Sequence, residues 1–237
     1  YNGMIAPLVP YGMRGVIWYQ GESNRARAEQ YRELFPTMIA DWRNRWGQGN
    51  FPFYYVQIAP FAYKHDRGQA AELRDAQRLT LATPHTGMVV TLDIGDPHNI
   101  HPANKQAVGE RLARWARSRV YGDNDLAYSG PLYRGSRADN GTLRLEFDAV
   151  HDGLVFGPEG GRHFEVAGAD GAFKTAEARI DGNTLVLASP QVAQPTAARY
   201  AWGAADEASL FNRAGLPASS FDTRNGPTPR GYLDTDR

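Results

Sequence analysis

The stretch Arg14-Gly15-Val16-Ile17-Trp18-Tyr19-Gln20-Gly21-Glu22-Ser23-Asn24 changes character in its middle. The apolar run Val16–Tyr19 reads as a buried strand. It stops at a polar turn of amide, carboxylate and hydroxyl side chains, and a long amphipathic pattern begins directly after. Strand, turn and helix in that order are the unit of a parallel sheet covered by helices. In such sheets ligands and catalytic groups gather at the carboxyl ends of the strands, so the Gln20–Asn24 turn is a candidate wall of an active site.

The unit repeats downstream. Residues 27–46 place Tyr31, Leu34, Phe35, Met38, Ile39, Trp42 and Trp46 at helical spacing, and Pro36 is expected to kink or split that helix. Phe53–Ile58 reads as a second strand and 69–82 as a second helix, with Leu73, Ala76 and Leu79 or Thr80 on one side. Met88–Leu92 reads as a third strand. It runs into Asp93-Ile94-Gly95-Asp96-Pro97-His98-Asn99-Ile100-His101-Pro102, and a third helix is expected over about 103–121, with Val108, Leu112, Trp115 or Ala116 and Val120 inward.

Near residue 122 the helical period disappears. Short alternating runs such as Thr142–Phe147, Ala178–Ile180 and Thr184–Leu187 follow, separated by Asp139-Asn140-Gly141, Ala169-Asp170-Gly171 and Asp181-Gly182-Asn183. Asn-Gly and Asp-Gly between alternating runs signal hairpins. The fold class expected is therefore α/β over 1–122, followed by an all-β sandwich or jelly-roll module over 123–237. The irregular stretch 203–220 is long enough to be functional or packed on a neighbouring domain. The tail from Thr223 is polar, with Gly, Pro and Arg, and reads as frayed or draped over the surface.

Composition narrows the partners. Twenty-six basic and 26 acidic residues cancel, which argues against nucleic acid or an anionic membrane, since both favour a basic surface. No apolar run reaches transmembrane length. With no cysteine, disulfides and thiolate metal sites are excluded. The chain begins Tyr1-Asn2-Gly3-Met4, with no signal-peptide pattern and no initiator Met, and is expected to start inside a longer gene product.

The two polar turns, both following strands, are expected on one edge of the sheet. The second offers a base and carboxylates (His101, His98, Asp96, Asp93), and the first offers Gln20, Glu22, Ser23 and Asn24. Acyl transfer needs a nucleophile, a base, an orienting partner and donors for the oxyanion. His101, before Pro102, reads either as a general base or as a loop histidine at a helix start. His98-x-x-His101 with nearby Asp also has the spacing of a metal pair, but no third His lies close in sequence. Ser23 sits where a nucleophile elbow would, yet the second Gly of Gly-x-Ser-x-Gly is absent. Ser23 or Asn24 is read instead as the cap of the following helix. Beyond Pro60, Phe61 and Tyr63 are loop aromatics at the same edge and candidates for substrate contact.

Several of these motifs together resemble the sialate O-acetylesterases, carbohydrate esterases of the SGNH-hydrolase class. The residues are Asn2–Leu8, Gly15–Asn24, Asp93–Asp96, Ile100-His101-Pro102 with Asn104-Lys105-Gln106, Val108-Gly109 with Arg111-Leu112, Arg199–Trp202 and Gly215–Ser219. The resemblance implies a flavodoxin-like α/β/α esterase domain with attached β-domains. It implies removal of O-acetyl groups from sugars through an acyl-enzyme, without a cofactor or metal. His101 matches the family's base, and Gln20-Gly21-Glu22 matches a block lining the oxyanion side. Asn24, His98 and Tyr63 are then substrate-binding candidates. Two departures stand out. The family's Gly-Gln-Ser-Asn-Met block, which carries the nucleophile, is not in these 237 residues, so the serine is expected from an N-terminal segment of the same gene product or another chain. Position 98 is His where related sites have Asp, leaving Asp96, Asp93 or a backbone carbonyl to orient His101. Sialic acid, xylan or xyloglucan are the substrates implied, and a periplasmic or secreted location goes with them. The alternatives are a non-catalytic carbohydrate-binding or structural fragment, or a hydrolase using Ser23.

Overall fold

The computed structural model describes residues 1–233. Three strands, β1 (Val16–Trp18), β2 (Phe53–Val56) and β3 (Thr86–Val89), form a parallel sheet in the order β1-β2-β3. Helix α1 (Ala28–Trp46) connects the first pair and α2 (Gln69–Leu79) the second, while α3 (Lys105–Arg119) follows β3. Alternation along β2 separates the layers. Phe53 and Tyr55 meet Phe35 of α1 at centroid distances of 6.1 and 5.0 Å, whereas Tyr54 points the other way, 5.8 Å from Trp115 of α3. Helices α1 and α2 thus cover one face of the sheet and α3 the other.

Strands β2 and β3 are buried throughout, as a parallel sheet covered on both faces requires. The expected burial of the first strand does not hold. In β1, Ile17 is 71% exposed, because it lies on the face that α3 covers and α3 packs over β2 and β3. Pro36 lies inside an unbroken α1, so the expected split does not occur. Phe35 and Ile39, both buried, pin the helix on either side of it. Leu34, placed inward by spacing, is exposed. The third helix begins only at Lys105, where the Asn104 Oδ1 accepts from the Ala107 N–H at 3.2 Å.

The second half is antiparallel throughout. It comprises β4 (Leu132–Asp139), β5 (Thr142–Asp148), β6 (Leu154–Phe156), β7 (Phe164–Ala167), β8 (Lys174–Thr175), β9 (Glu177–Asp181), β10 (Thr184–Ala188), β11 (Ala197–Tyr200), β12 (Leu210–Asn212) and β13 (Phe221–Asp222). Sheets β4-β5-β10-β9 and β13-β11-β7-β8 pack face to face, with β12-β6 as a separate pair. In β5, Leu143, Leu145 and Phe147 alternate inward, and the sheets join where Tyr133 stacks on Phe221 at 4.9 Å. Each of the three turn sequences closes a hairpin: β4–β5, β7–β8 and β9–β10.

Two buried arginines of α2 bind the halves together. Arg74 donates to the Ser220 hydroxyl at 3.0 Å and to the carbonyls of Ala201, Gly203 and Ala204 at 2.9, 2.7 and 3.3 Å. Burial lowers its pKa to about 10. Arg78 pairs with Asp75 at 2.7 Å and donates to Thr228 and to the Gly226 carbonyl. Residues 223–233 are correspondingly packed rather than frayed: Tyr232 is buried against Trp115, and Arg230 holds Asp148 in a bidentate pair. The last part of the tail, 234–237, lies outside the described residues.

Candidate active site

All three strands of the parallel sheet end at one edge, and the loops beyond them interlock. Gly95 sits directly on Pro60; a Cβ there would lie 2.5 Å from the Pro60 Cδ and 3.0 Å from its backbone nitrogen. The Ala62 N–H donates to the Pro97 carbonyl at 2.9 Å. The turn after β3 is thereby fastened to the loop after β2. The turn after β1 is tied in by Tyr19, whose ring lies 4.9 Å from the Lys105 ammonium at the start of α3. The structure therefore brings the Gln20 turn, Tyr63 and the 93–101 turn to one edge, as the order of elements predicts.

The first turn is held from below. The Gln20 carbonyl accepts from the Tyr31 hydroxyl at 3.3 Å and from Gln77 at 3.5 Å. Gly21 is buried where a Cβ would meet Ile58 at 3.0 Å and Gln77 at 3.2 Å. The Gln20 Nε2 donates to the Asn24 Oδ1 at 2.8 Å, which leaves the second amide N–H of Gln20 free to donate. That bond also overturns the expected helix cap. Residues 22–27 form a 3-10 turn, α1 starts at Ala28, and neither Ser23 nor Asn24 caps it. Ser23 is exposed on this turn.

Glu22 and the aromatic side chains around it share one environment. Burial pushes the Tyr19 and Tyr63 phenols up to about 12, and the charge of Glu22 adds to the effect at both. Arg25 lies 4.3 Å over the Tyr63 ring and donates to Gln69 at 2.8 Å and to Asp66 at 3.5 Å. The Tyr63 hydroxyl is buried with no hydrogen-bond partner among the described residues.

In the second turn the backbone is fixed while both imidazoles stay exposed. The Asp96 Oδ1 accepts from the His98 N–H at 2.8 Å, and the Asn99 Oδ1 accepts from the His101 N–H at 2.9 Å. Among the described residues neither imidazole is in a hydrogen bond or ion pair. Asp93 is held elsewhere: its two oxygens take the Arg111 guanidinium at 2.7 and 2.5 Å. No side-chain hydrogen bond of the described residues links His101 to Gln20, Glu22, Asp93 or Asp96. Arg111 and Asn99 shape this turn, yet their spacing from His101 carries no pattern that would mark them for that role in the sequence. Among the described residues no group of three or more His, Asp or Glu is placed to hold a metal, and no helix is long and apolar enough to cross a membrane.

Comparison with known proteins finds a matching family model and several relatives. Residues 4–118 match the family model described as carbohydrate esterase, sialic acid-specific acetylesterase. The chain is 35% identical over 169 residues to sialate O-acetylesterase of Mus musculus, covering 62% of this chain and 31% of that protein. It is 34% identical over 151 residues to the Homo sapiens enzyme, covering 56% of this chain and 29% of that protein. A crystal structure of a carbohydrate acetylesterase from Xanthomonas citri superposes with a TM-score of 0.89 at 45% identity, covering 94% of this chain and 53% of that one. The chain thus spans about a third of the curated relatives it matches.

Proposed function

With residues 4–118 falling in the family of sialic acid-specific acetylesterases among the carbohydrate esterases, we propose that the chain is part of a carbohydrate O-acetylesterase working through an acyl-enzyme. A serine supplied from outside these 237 residues attacks the acetyl carbonyl. His101 takes the serine proton and returns it to the departing sugar oxygen. Water, deprotonated by the same imidazole, then releases acetate. The free amide N–H of Gln20, with backbone N–H groups of its turn, donates to the oxyanion.

The observation that carries this reading is the joining of the loops at this edge, with the Tyr19 ring 4.9 Å from the Lys105 ammonium, Gly95 seated on Pro60 and the Ala62 N–H bonded to the Pro97 carbonyl. It brings an exposed imidazole and a fixed amide donor to the same sheet edge. Asp93 is assigned to holding Arg111 and the turn, because both its oxygens are already engaged. Asp96, or a backbone carbonyl, is left to orient His101. Glu22 contributes negative charge beside Tyr19 and Tyr63, and Asn24 fixes Gln20. Tyr63 and His98 are assigned to the bound sugar. The edge of β1, unpaired among the described residues on the side away from β2, suits pairing with a further parallel strand from the segment that carries the serine. O-acetylated sialic acid, xylan or xyloglucan are the substrates considered, and a periplasmic or extracellular location is proposed with them.

The test is p-nitrophenyl acetate hydrolysis by the full-length protein and by His101→Ala. The variant is expected to lose 10²- to 10⁴-fold, roughly the contribution of a general base; wild-type-like turnover overturns the assignment. Acetate release from acetylated xyloglucan and from O-acetyl sialic acid, measured side by side, identifies the sugar.

A further inference from the structure

Beside the sheet edge, a cleft of about 980 Å³ runs between the first turns of α1 and α2 and the strands β7, β11 and β13 of the sandwich. We propose that it binds a neutral oligosaccharide, at a site separate from the ester-cleaving edge. Ligand clefts occur preferentially between packed units, and about 1,000 Å³ is the upper end of their usual size.

The lining is polar, and most of its charge is cancelled in place. Arg199 is bonded to Glu165 at 2.5 Å and Arg224 to Asp222 at 2.6 Å. Both guanidiniums also lie over the ring of Phe173, at 4.3 and 4.5 Å, which fixes their planes. Such couples offer a hydroxyl both a charged acceptor and a charged donor in fixed positions, and every sugar hydroxyl is at once donor and acceptor. Of the remaining charged groups in the lining, Glu29, Arg67 and Glu72 are exposed and in none of the ion pairs of the described residues. Two acids against one base disfavour an anionic ligand.

One aromatic side chain completes the cleft. Trp202 is half-buried in its wall and presents the large apolar surface on which a sugar ring's C–H face can lie. Its position is not left to a loose loop. The carbonyls on either side of it, those of Ala201 and Gly203, both accept from the buried Arg74 of α2. The sandwich wall is thus clamped to the helical wall, and little ordering remains to be done on binding. A wall is shared with the sheet edge: Asp66 lines the cleft and accepts from Arg25, which stacks on Tyr63. A glycan chain held in the cleft would lie beside the edge where its acetyl group is removed.

Calorimetric titration of the full-length protein with xylohexaose, cellohexaose and a xyloglucan heptasaccharide tests the proposal. Binding of at least one of them is expected, weakened about tenfold in Trp202→Ala, from the loss of one stacking surface. Glu72→Gln changes only an exposed side chain and should weaken the same binding several-fold, so the proposal does not depend on how well the tryptophan variant folds. It is overturned if no neutral oligosaccharide binds, or if both variants bind as the wild type does. Tighter binding of 3′-sialyllactose than of lactose, abolished by Trp202→Ala, would overturn the neutral class. The readout is binding alone, so a protein that hydrolyses no ester can still bind glycan in the cleft, and one that hydrolyses esters can fail to.

Discussion

In the seam between the parallel sheet and the sandwich, Arg74, Asp75, Arg78, Gln57 and Gln77 are buried and hydrogen-bonded. In the turn after β3, His98 and His101 are exposed, and their imidazoles bond to no described residue. Both groups adjoin the same small sheet. Deep in the seam, a polar group without a partner costs about 1–3 kcal/mol, so every such residue is committed to holding structure. At the edge, water satisfies the imidazoles, and only the backbone beneath them is fixed, by Asp96, Asn99 and the Asp93–Arg111 pair. A rigid turn carrying an unengaged base suits chemistry, whereas a buried cluster in which, of these five residues, only the Gln57 Oε1 lacks a partner suits assembly.

The contrast is sharpest in what replacement should do. His101→Ala should remove nearly all turnover yet shift the unfolding free energy by no more than about 0.5 kcal/mol, since the side chain is exposed; urea unfolding beside the activity assay reads both. A stability loss of several kcal/mol would instead make His101 a structural residue. Arg74→Met should do the reverse. It strips donors from the Ala201 and Gly203 carbonyls and from Ser220, and should cost about 3 kcal/mol or more in the same unfolding experiment. A loss below about 1 kcal/mol would mean that the seam does not depend on it. Gly95→Ala lies between the two, because the new methyl group must push against Pro60. About 1–3 kcal/mol of destabilisation is expected, together with a fall in turnover as the His101 turn moves; unchanged kinetics would separate that turn from the site.

The smallest effect is read by pH. Burial raises the phenols of Tyr19, Tyr31, Tyr54 and Tyr63 to about 12 from an ordinary 10. The native state therefore keeps its phenolic protons where the unfolded chain gives them up. Their stabilisation is complete below pH 10 and is lost as pH rises through about 12. Phenolate absorbance followed alongside circular dichroism should show these tyrosines ionising late and together with unfolding. Full ionisation near pH 10 with the fold intact would contradict the burial.

Much of the fold is readable from the chain. The hairpins at Asn140-Gly141, Asp170-Gly171 and Gly182-Asn183 lie where turn chemistry puts them, and the parallel strands fall within a few residues of the apolar runs. Those runs extend to Ile58 and Leu92, which lie beyond β2 and β3; both are buried without being paired, since apolar runs report burial rather than hydrogen bonding. Ser23 and Asn24 have the composition of a cap, but Gln20, across the turn, takes the Asn24 oxygen first. In the candidate site, the convergence of two turns follows from strand order alone, whereas the engagement of Asp93 by Arg111 needs a helix to fold back over the strand end.

By itself the sequence determined the kinds of element and their order, because periodicity, proline, glycine and turn residues act through neighbours a few positions away. Only the tertiary structure decided which polar residues are free. Arg74 and Arg78 occupy positions that helical spacing assigns to solvent, and they are buried because the sandwich stands against that face of α2. Ile17, in an apolar run, is exposed because α3, which covers its face of the sheet, packs over β2 and β3. Burial depends on what lies across the gap, and residues more than a hundred positions away supply it.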